Sequence, residues 1–516
     1  MLSSQGNNAI IYLSYAFLLA TGLFLAFKFA RKDNFLSSNG TQSTIPLALN
    51  FIASGCGILT TYAQIANISG LHGLLVYTIC GALPLIAFGV VGPIIRKKCP
   101  DGFILSEWVR QRFGVVTSLY LSLFTGLTMF LYMIAELSAV RSALEVITGL
   151  NGLPMIIVEC VVTTLYTSVG GFRISFITDN FQGALVLLLI IICAAGMGSN
   201  IKIDTSKIGE SGLLKENKLG WQLIYILFVA IGTNAFFLNS FWLRTFSSKS
   251  DRTLRYSTLC AAAVIFIITT LVGVPGFLAV WSGDLTIGDE NGYNAFFILL
   301  AKMPNWVLAF VLIFIVSLST ASFDSLQSAM VSTISNDIFR NKLKMIYIRG
   351  LVVLIIVPVI VLAIKVADDV LQIYLIADLV SSAIIPILFL GLSDRFFWFL
   401  RGLDIMVGGL GALVAVFVFG TIYYGSAKEG GKLLLVSNGL YNSEDWGPFG
   451  AFVIAPFGGI LLALISVALR GAVSFVYCKI TGKPFTTFDR PEVVEELSDD
   501  SNYGSIKKDD TDPDAV

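Results

Sequence analysis

About thirteen stretches of this chain are long and apolar enough to cross a lipid bilayer, and that repetition excludes most folds. A spanning helix needs about 20 mostly apolar residues, because a rise of about 1.5 Å per residue must cover about 30 Å of hydrocarbon. The stretches fall at residues 8–30, 46–67, 71–95, 115–140, 154–169, 179–198, 222–242, 256–281, 306–332, 348–367, 370–392, 404–425 and 448–468. Hydrocarbon offers no water to backbone N–H and C=O groups, so only helices and closed barrels survive there. Continuous apolar runs lack the alternation of barrel strands, so the expected class is an all-α polytopic membrane protein. Charge agrees: 13% of residues are charged, where a soluble domain carries about 25%.

The positive residues Lys28, Arg31 and Lys32 follow the first apolar run, the wrong polarity for a cleaved signal peptide. Residues 8–30 are therefore read as a retained first span. With the N-terminus outside, about three quarters of the Lys and Arg residues fall in cytoplasmic segments, which favours an N-out, C-in orientation. Asn39-Gly40-Thr41 is a glycosylation sequon in a loop that this orientation places inside. Residues 103–114, FILSEWVRQRFG, are basic and amphipathic and should lie along the inner membrane surface. The polar tail from Thr486 has no periodicity and is expected to remain solvated.

Several function classes drop out. The 34 basic and 34 acidic residues balance, which gives no footprint for nucleic acid. Seven Cys are scattered without a CxxC pair or Cys/His cluster, so neither a disulfide framework nor a metal site is indicated. The single histidine, His72 in an expected outer loop, rules out an HExxH zinc site, and neither a GK[ST] phosphate loop nor a GxSxG elbow occurs. No enzyme and no cofactor is expected.

Residues 162–182 read VTTLYTSVGGFRISFITDNFQ. Through Tyr166-Thr167, Gly170-Gly171, Thr178-Asp179 and Gln182, this segment resembles the YTxxGGxxxxxxTDxxQ motif of the solute:sodium symporter family. Residues 317–339, SLSTASFDSLQSAMVSTISNDIF, resemble the family's STADSxLLAxSSxxxxDIY helix at Asp324-Ser325 and Asp337-Ile338. NSFWLRT at 239–245 is similar to the family's aromatic-rich helix ending in xRT, and residues 106–114 to its EYxxxRFG loop. Within the family, Ile68-Ser69-Gly70 and the loop RKKCPDGFILSEWVRQRFG look most like the fungal and plant urea permeases. The resemblance implies a LeuT-type fold. A ten-helix core of two inverted repeats would occupy 46–392, after an extra helix in 1–45 and before two more in 393–485, with the tail at 486–516.

Such folds bind ion and solute near the membrane midplane, where helices unwind. Ala53-Ser54-Gly55-Cys56-Gly57 is flexible, and Thr60-Thr61-Tyr62-Ala63-Gln64 is polar for that depth. By resemblance, Thr60, Ala63 and Leu318 would offer carbonyls to the coupling ion, while Ala321 and Ser322 stand where the family has two hydroxyl residues. Ser322 keeps its hydroxyl and Ala321 has lost it, which raises H+ beside Na+ as the coupling ion; ordinary helix packing is the plain alternative for Ser322.

Carboxylates within spans cost about 3 kcal/mol each on insertion scales, so Glu136, Glu159, Asp324 and Asp378 each need a reason. Glu136 and Asp324, with Ser325, Gln64, Asn234 and Trp242, form the expected substrate set, and Glu159 is expected to reach the outer interface. Gly232-Thr233-Asn234 should break the seventh span. Asp179 and Arg173 would line the cytoplasmic exit path, or form a local ion pair with Asp179 as a helix cap.

These features point to a secondary symporter in the plasma membrane, importing a small polar solute on a Na+ or H+ gradient. Urea is preferred, since its four N–H donors suit Gln64, Asn234 and Glu136. A polyamine is the alternative, because intramembrane carboxylates suit cationic amines; proline, pantothenate and choline are transported elsewhere in the family. A channel and a sensor that has lost transport are the rivals. Solute and membrane lipid are the only partners expected.

Overall fold

The computed structural model describes residues 3–29, 36–57, 60–365, 370–437, 439–440 and 442–490. Arg31, Lys32 and the tail from residue 491 lie outside the described residues. The regular elements within them are helical, in the order α1 Ser4–Phe29, α2 Thr44–Gly55, α3 Thr60–Lys98, α4 Leu105–Phe113, α5 Val115–Thr148 and α6 Leu153–Asn200. Then follow α7 Thr205–Ser211, α8 Lys218–Phe237, α9 Asn239–Ser247, α10 Asp251–Gly273, α11 Pro275–Trp281 and α12 Ala295–Leu300. The chain continues through α13 Asn305–Asp337, α14 Met345–Lys365, α15 Val370–Leu390, α16 Gly402–Tyr424, α17 Ala427–Leu434 and α18 Gly447–Thr481.

Among the described residues, eleven helices are long and apolar enough to span a bilayer, where the sequence suggested about thirteen segments. The difference lies in α3 and α6. At 39 and 48 residues they are about 58 and 72 Å long at 1.5 Å per residue, roughly twice the hydrocarbon thickness. Each passes through one glycine with non-helical geometry, Gly70 (φ 59, ψ −152) in α3 and Gly171 (φ 61, ψ −160) in α6. The loops expected between 67 and 71 and between 169 and 179 are thus single-glycine kinks. At Gly70 the neighbouring amide of Leu71 is taken by the Leu213 carbonyl at 2.8 Å.

Lipid-facing side chains such as Leu13, Phe17, Phe24, Leu354 and Ile422 are exposed. The centre is α13, buried over 78% of its apolar window against 28% for α1, so α1 is peripheral and α13 axial. One end of the bundle gathers the basic loops. Asp394, just past α15, meets Lys98 at the end of α3 and Arg112 at 3.3 Å just before α5, and Arg340 meets Glu107 at 3.0 Å. The sequon loop sits there too: the Asn39 amide donates to the Gly102 carbonyl at 2.9 Å, and Gln42 pairs with Ser248. Asn39 therefore sits at the basic end of the bundle.

Candidate functional site

Two helix breaks face each other inside the bundle. α2 ends at Gly55, Cys56 leaves helical geometry (φ −102, ψ 85), and α3 begins at Thr60. The second break is at Leu238 (φ −79, ψ 109), between α8 and α9. It is not at Gly232-Thr233-Asn234, which continue α8 through Phe237. Trp242 stabilises the actual break, its indole N–H donating to the Phe236 carbonyl at 2.7 Å.

Between the breaks lies a cavity of about 150 Å³, walled also by α5, α15, Ile265 of α10, and Ser322 and Leu326 of α13. Its two acids come from two helices. α5 carries Tyr132 and Glu136, and α15 carries Tyr374 and Asp378; a spacing of four puts each pair on one helix face. The pairs cross. The Tyr374 hydroxyl donates to Glu136 Oε1 at 2.9 Å, and the Tyr132 hydroxyl to Asp378 Oδ1 at 3.4 Å. The two rings meet edge to face at 4.5 Å. Asn234 of α8 donates from Nδ2 to Tyr132 Oη at 2.6 Å and to Asp378 Oδ1.

Because Asp394 ties the end of α15 to the start of α5, the two helices run antiparallel. Crossed pairing then sets Tyr132 level with Asp378 and Tyr374 level with Glu136. Four residues of rise separate the two carboxylates by about 6 Å along the helix axes. On α3, Tyr62 and Tyr77 stack at 4.1 Å, and the Tyr77 hydroxyl donates to Thr61 Oγ1 at 2.8 Å. Glu136 and Asp378 are 4% and 5% exposed. The described lining holds four tyrosines and these two acids, and no Lys, Arg or His. Gly57 passes so close that a Cβ there would stand 2.7 Å from Glu136 Cδ.

Glu136, Asn234, Thr60 and Ser322 of the expected site residues line this cavity. Gln64, Ala63, Leu318, Ala321 and Trp242 are buried but lie outside its lining. The helix end that leaves carbonyls without an intrahelical partner is the last turn of α2, whereas Thr60 and Ala63 sit in the first turn of α3, where carbonyls are engaged four residues onward. A Cβ on Gly276 of α11 would overlap the Ala63 carbonyl, so that oxygen faces α11.

Asp324 and Ser325 belong to a second polar cluster, between α6, α9 and α13. Asp179 pairs with Arg244 of α9 at 2.6 Å, both fully buried. The local pair with Arg173 does not form, because residues six apart on a helix do not face each other. Ser325 Oγ lies 3.1 Å from Asp179 Oδ2 and accepts from Arg244 at 2.7 Å. Asp324 accepts from Tyr166 at 2.5 Å and from Ser175 at 3.0 Å. Glu159 is not at the outer interface. It is fully buried where α1 covers α6, and accepts from Tyr15 at 3.1 Å and from Ser319 of α13.

The tyrosines were missed from sequence. Their signal was present as Tyr-x-x-x-acid in two separate spans, Tyr132 to Glu136 and Tyr374 to Asp378.

Comparison with known proteins adds four findings. The model of the Sodium:solute symporter family matches residues 40–398. The Candida albicans protein named "Spermidine transporter DUR31" is 71% identical over 513 residues, 99% of this chain and 98% of that protein. "Probable urea active transporter 1" of Schizosaccharomyces pombe is 26% identical over 156 residues, 30% of this chain and 23% of that protein. Among solved structures, a Na+-coupled sialic acid symporter in a substrate-bound outward-open state superposes with a TM-score of 0.70 at 17% identity, covering 90% of this chain and 97% of that one.

Proposed function

This chain belongs to the Sodium:solute symporter family, and on that premise we propose that it imports a polyamine across the plasma membrane, driven by a Na+ or H+ gradient. The observation that carries the reading is the crossed Tyr132–Asp378 and Tyr374–Glu136 pairing around a cavity with no basic residue in its described lining. Two acids at low exposure on the wall of one cavity, with no basic residue in its described lining, favour a positively charged occupant, and an organic cation is one. Two ammonium groups on an extended four-carbon chain match an axial separation of about 6 Å between the acids. The methylene chain between them would lie against the tyrosine rings, whose faces also attract ammonium groups.

Urea, preferred from the sequence, is neutral and would gain less than a cation from an acid-lined cavity. The relative named as a spermidine transporter supports the polyamine over nearly the whole chain, whereas the urea transporter matches under a third of it. Ion and solute would bind in the outward-open state, and rocking of the repeats about the two helix breaks would release both inside.

The test is uptake of radiolabelled spermidine by proteoliposomes under a Na+ gradient, an H+ gradient or neither, with putrescine or urea in excess. Concentrative uptake under one gradient, competed by putrescine and not by urea, is expected. Uptake of urea with indifference to spermidine would overturn the reading. Flux without any gradient, linear in spermidine concentration, would make the protein a channel.

A further inference from the structure

We propose that the hollow enclosed by the segment before α2, the end of α3 and the start of α10 binds the phosphate-bearing headgroup of an anionic phospholipid. The hollow lies at the basic end of the bundle and shares no lining residue with the solute cavity, so the proposal does not rest on the polyamine reading.

The first support is the donor set. The hollow measures about 380 Å³, and Arg96 and Lys97 line it. Arg96 is fixed at one edge of its guanidinium, where Nη2 donates to the Ser248 carbonyl at 2.9 Å. Its Nη1 is buried without a hydrogen-bond partner among the described residues, and its ion-pair contact with Asp251 Oδ1 is long, at 3.6 Å. A guanidinium with unused N–H donors beside a cavity matches the geometry of a phosphate oxygen pair. Lys97 is exposed and makes no ion pair among the described residues, so its ammonium group is free to meet the same phosphate.

The second support is charge around the hollow. Lys249, Arg252 and Arg255 follow on the approach to α10 and in its first turns, all exposed and without an ion pair among the described residues. The acids beside them are Asp251, which faces Arg96, and the exposed Asp101, next to Pro100 of the lining. Five cations against two acids leave a surplus of positive charge, which suits an anionic headgroup.

The third support ties the site to lipid. On α3, Leu83, Ile86, Val90 and Ile94 are exposed at spacings of three and four, a stripe along one face that runs to Lys97. On α10, Tyr256 and Leu259 are exposed, each four residues beyond a cation, Arg252 and Arg255. The two helices are close neighbours: a Cβ on Gly89 would stand 2.7 Å from Thr258 Oγ1, and one on Gly92 2.8 Å from Leu254 Cδ2. A phospholipid can lay its acyl chains on these apolar faces and its headgroup on the cations at their ends, as in other basic pockets between membrane helices. Gly40 and Phe246 also line the hollow, and the Gly40 N–H donates to the Phe246 carbonyl at 3.1 Å. A bound headgroup would thus brace the segment leading into α2 against the end of α9.

Thermal melting of the purified full-length protein in detergent, titrated with dioctanoyl phosphatidylserine, tests this. Dioctanoyl phosphatidylcholine, the free headgroup glycerophosphoserine and inorganic phosphate are the comparators. The expected result is a saturable rise in melting temperature with the anionic lipid alone. Lys97→Gln should weaken its apparent affinity about fivefold, and Arg96→Gln with Lys97→Gln further, since each cation near an anionic lipid contributes about that factor. Lys97→Gln breaks no ion pair, so without lipid it should melt like the wild type, which guards against a variant that fails to fold. Lys479→Gln with Lys483→Gln removes two exposed cations near the end of α18 that do not line the hollow, and should leave the lipid effect unchanged. Equal stabilisation by glycerophosphoserine or inorganic phosphate would make this a site for a soluble anion and overturn the lipid proposal. Equal stabilisation by phosphatidylcholine, no shift at all, or equal weakening by the α18 pair would overturn the site itself.

Discussion

Replacing Asp378 by Asn removes one charge from the solute cavity and little else. The amide oxygen of Asn can still accept from Asn234 Nδ2 and from the Tyr132 hydroxyl, so the wall should hold its shape. The lost interaction is that between a carboxylate and an ammonium group at contact. At about 4 Å and an effective dielectric constant of about 20 it amounts to about 4 kcal/mol. Part is returned, because the empty variant no longer buries an uncompensated acid; measured truncations of buried charge pairs fall at about 2–5 kcal/mol. A net loss of about 2–4 kcal/mol weakens spermidine binding by about thirty- to a thousandfold, at 1.4 kcal/mol per tenfold. Scintillation proximity binding of labelled spermidine to detergent-purified protein measures this directly. Thermal melting separates charge reading from mere structure. Without ligand the variant should melt at or above the wild-type temperature, since a buried charge has gone, while stabilisation by spermidine should vanish. Loss of affinity below about threefold, or an equal loss for a neutral solute, would refute the claim that Asp378 reads a cation.

Three further outcomes follow from the same geometry. Gly57→Ala would press a methyl group against the Glu136 carboxyl; overpacking of about 1–3 kcal/mol should weaken spermidine binding about five- to a hundredfold, read in the same assay. Arg244→Gln leaves Asp179 buried without its partner and should cost about 3–5 kcal/mol of stability, seen as a collapse in monodisperse yield, with much of it recovered when Asp179→Asn is added. Gly70→Ala forces a Cβ onto the Leu213 carbonyl at a backbone angle few L residues adopt, and should lower the melting temperature by the equivalent of about 1–3 kcal/mol without changing relative affinity for spermidine and putrescine.

The helical membrane class and the family motifs were legible in the chain because each depends on local composition or spacing. Residues 46–67, 222–242 and the flexible Ala53–Gly57 region all lie where helices break around the cavity. What stayed hidden was contact between distant residues. Glu136 and Asp378 were visible as acids inside spans, but their hydroxyl partners lie 238 and 246 positions away, and no local pattern joins α5 to α15. Asp179 was assigned to Arg173 because that cation is near in sequence; its real partner is 65 positions on, brought close by the turn at Leu238.

The stretches that resemble the urea permeases likewise lie away from the cavity. Ile68-Ser69-Gly70 and the loop from Arg96 to Gly114 suggested the urea permeases, yet neither stretch reaches the cavity. Gly70 is the kink of α3, and Ser69 holds Asn217 at 2.8 Å beside it. Lys98, Arg112 and Glu107 bind Asp394 and Arg340 at the basic end of the bundle. These residues build a helix kink and a set of ion pairs at the basic end of the bundle, away from the cavity. The cavity is lined instead by two acids braced by tyrosines, residues that lie in neither stretch. A chain can therefore share local motifs with one set of relatives while its cavity is built from residues elsewhere in the sequence.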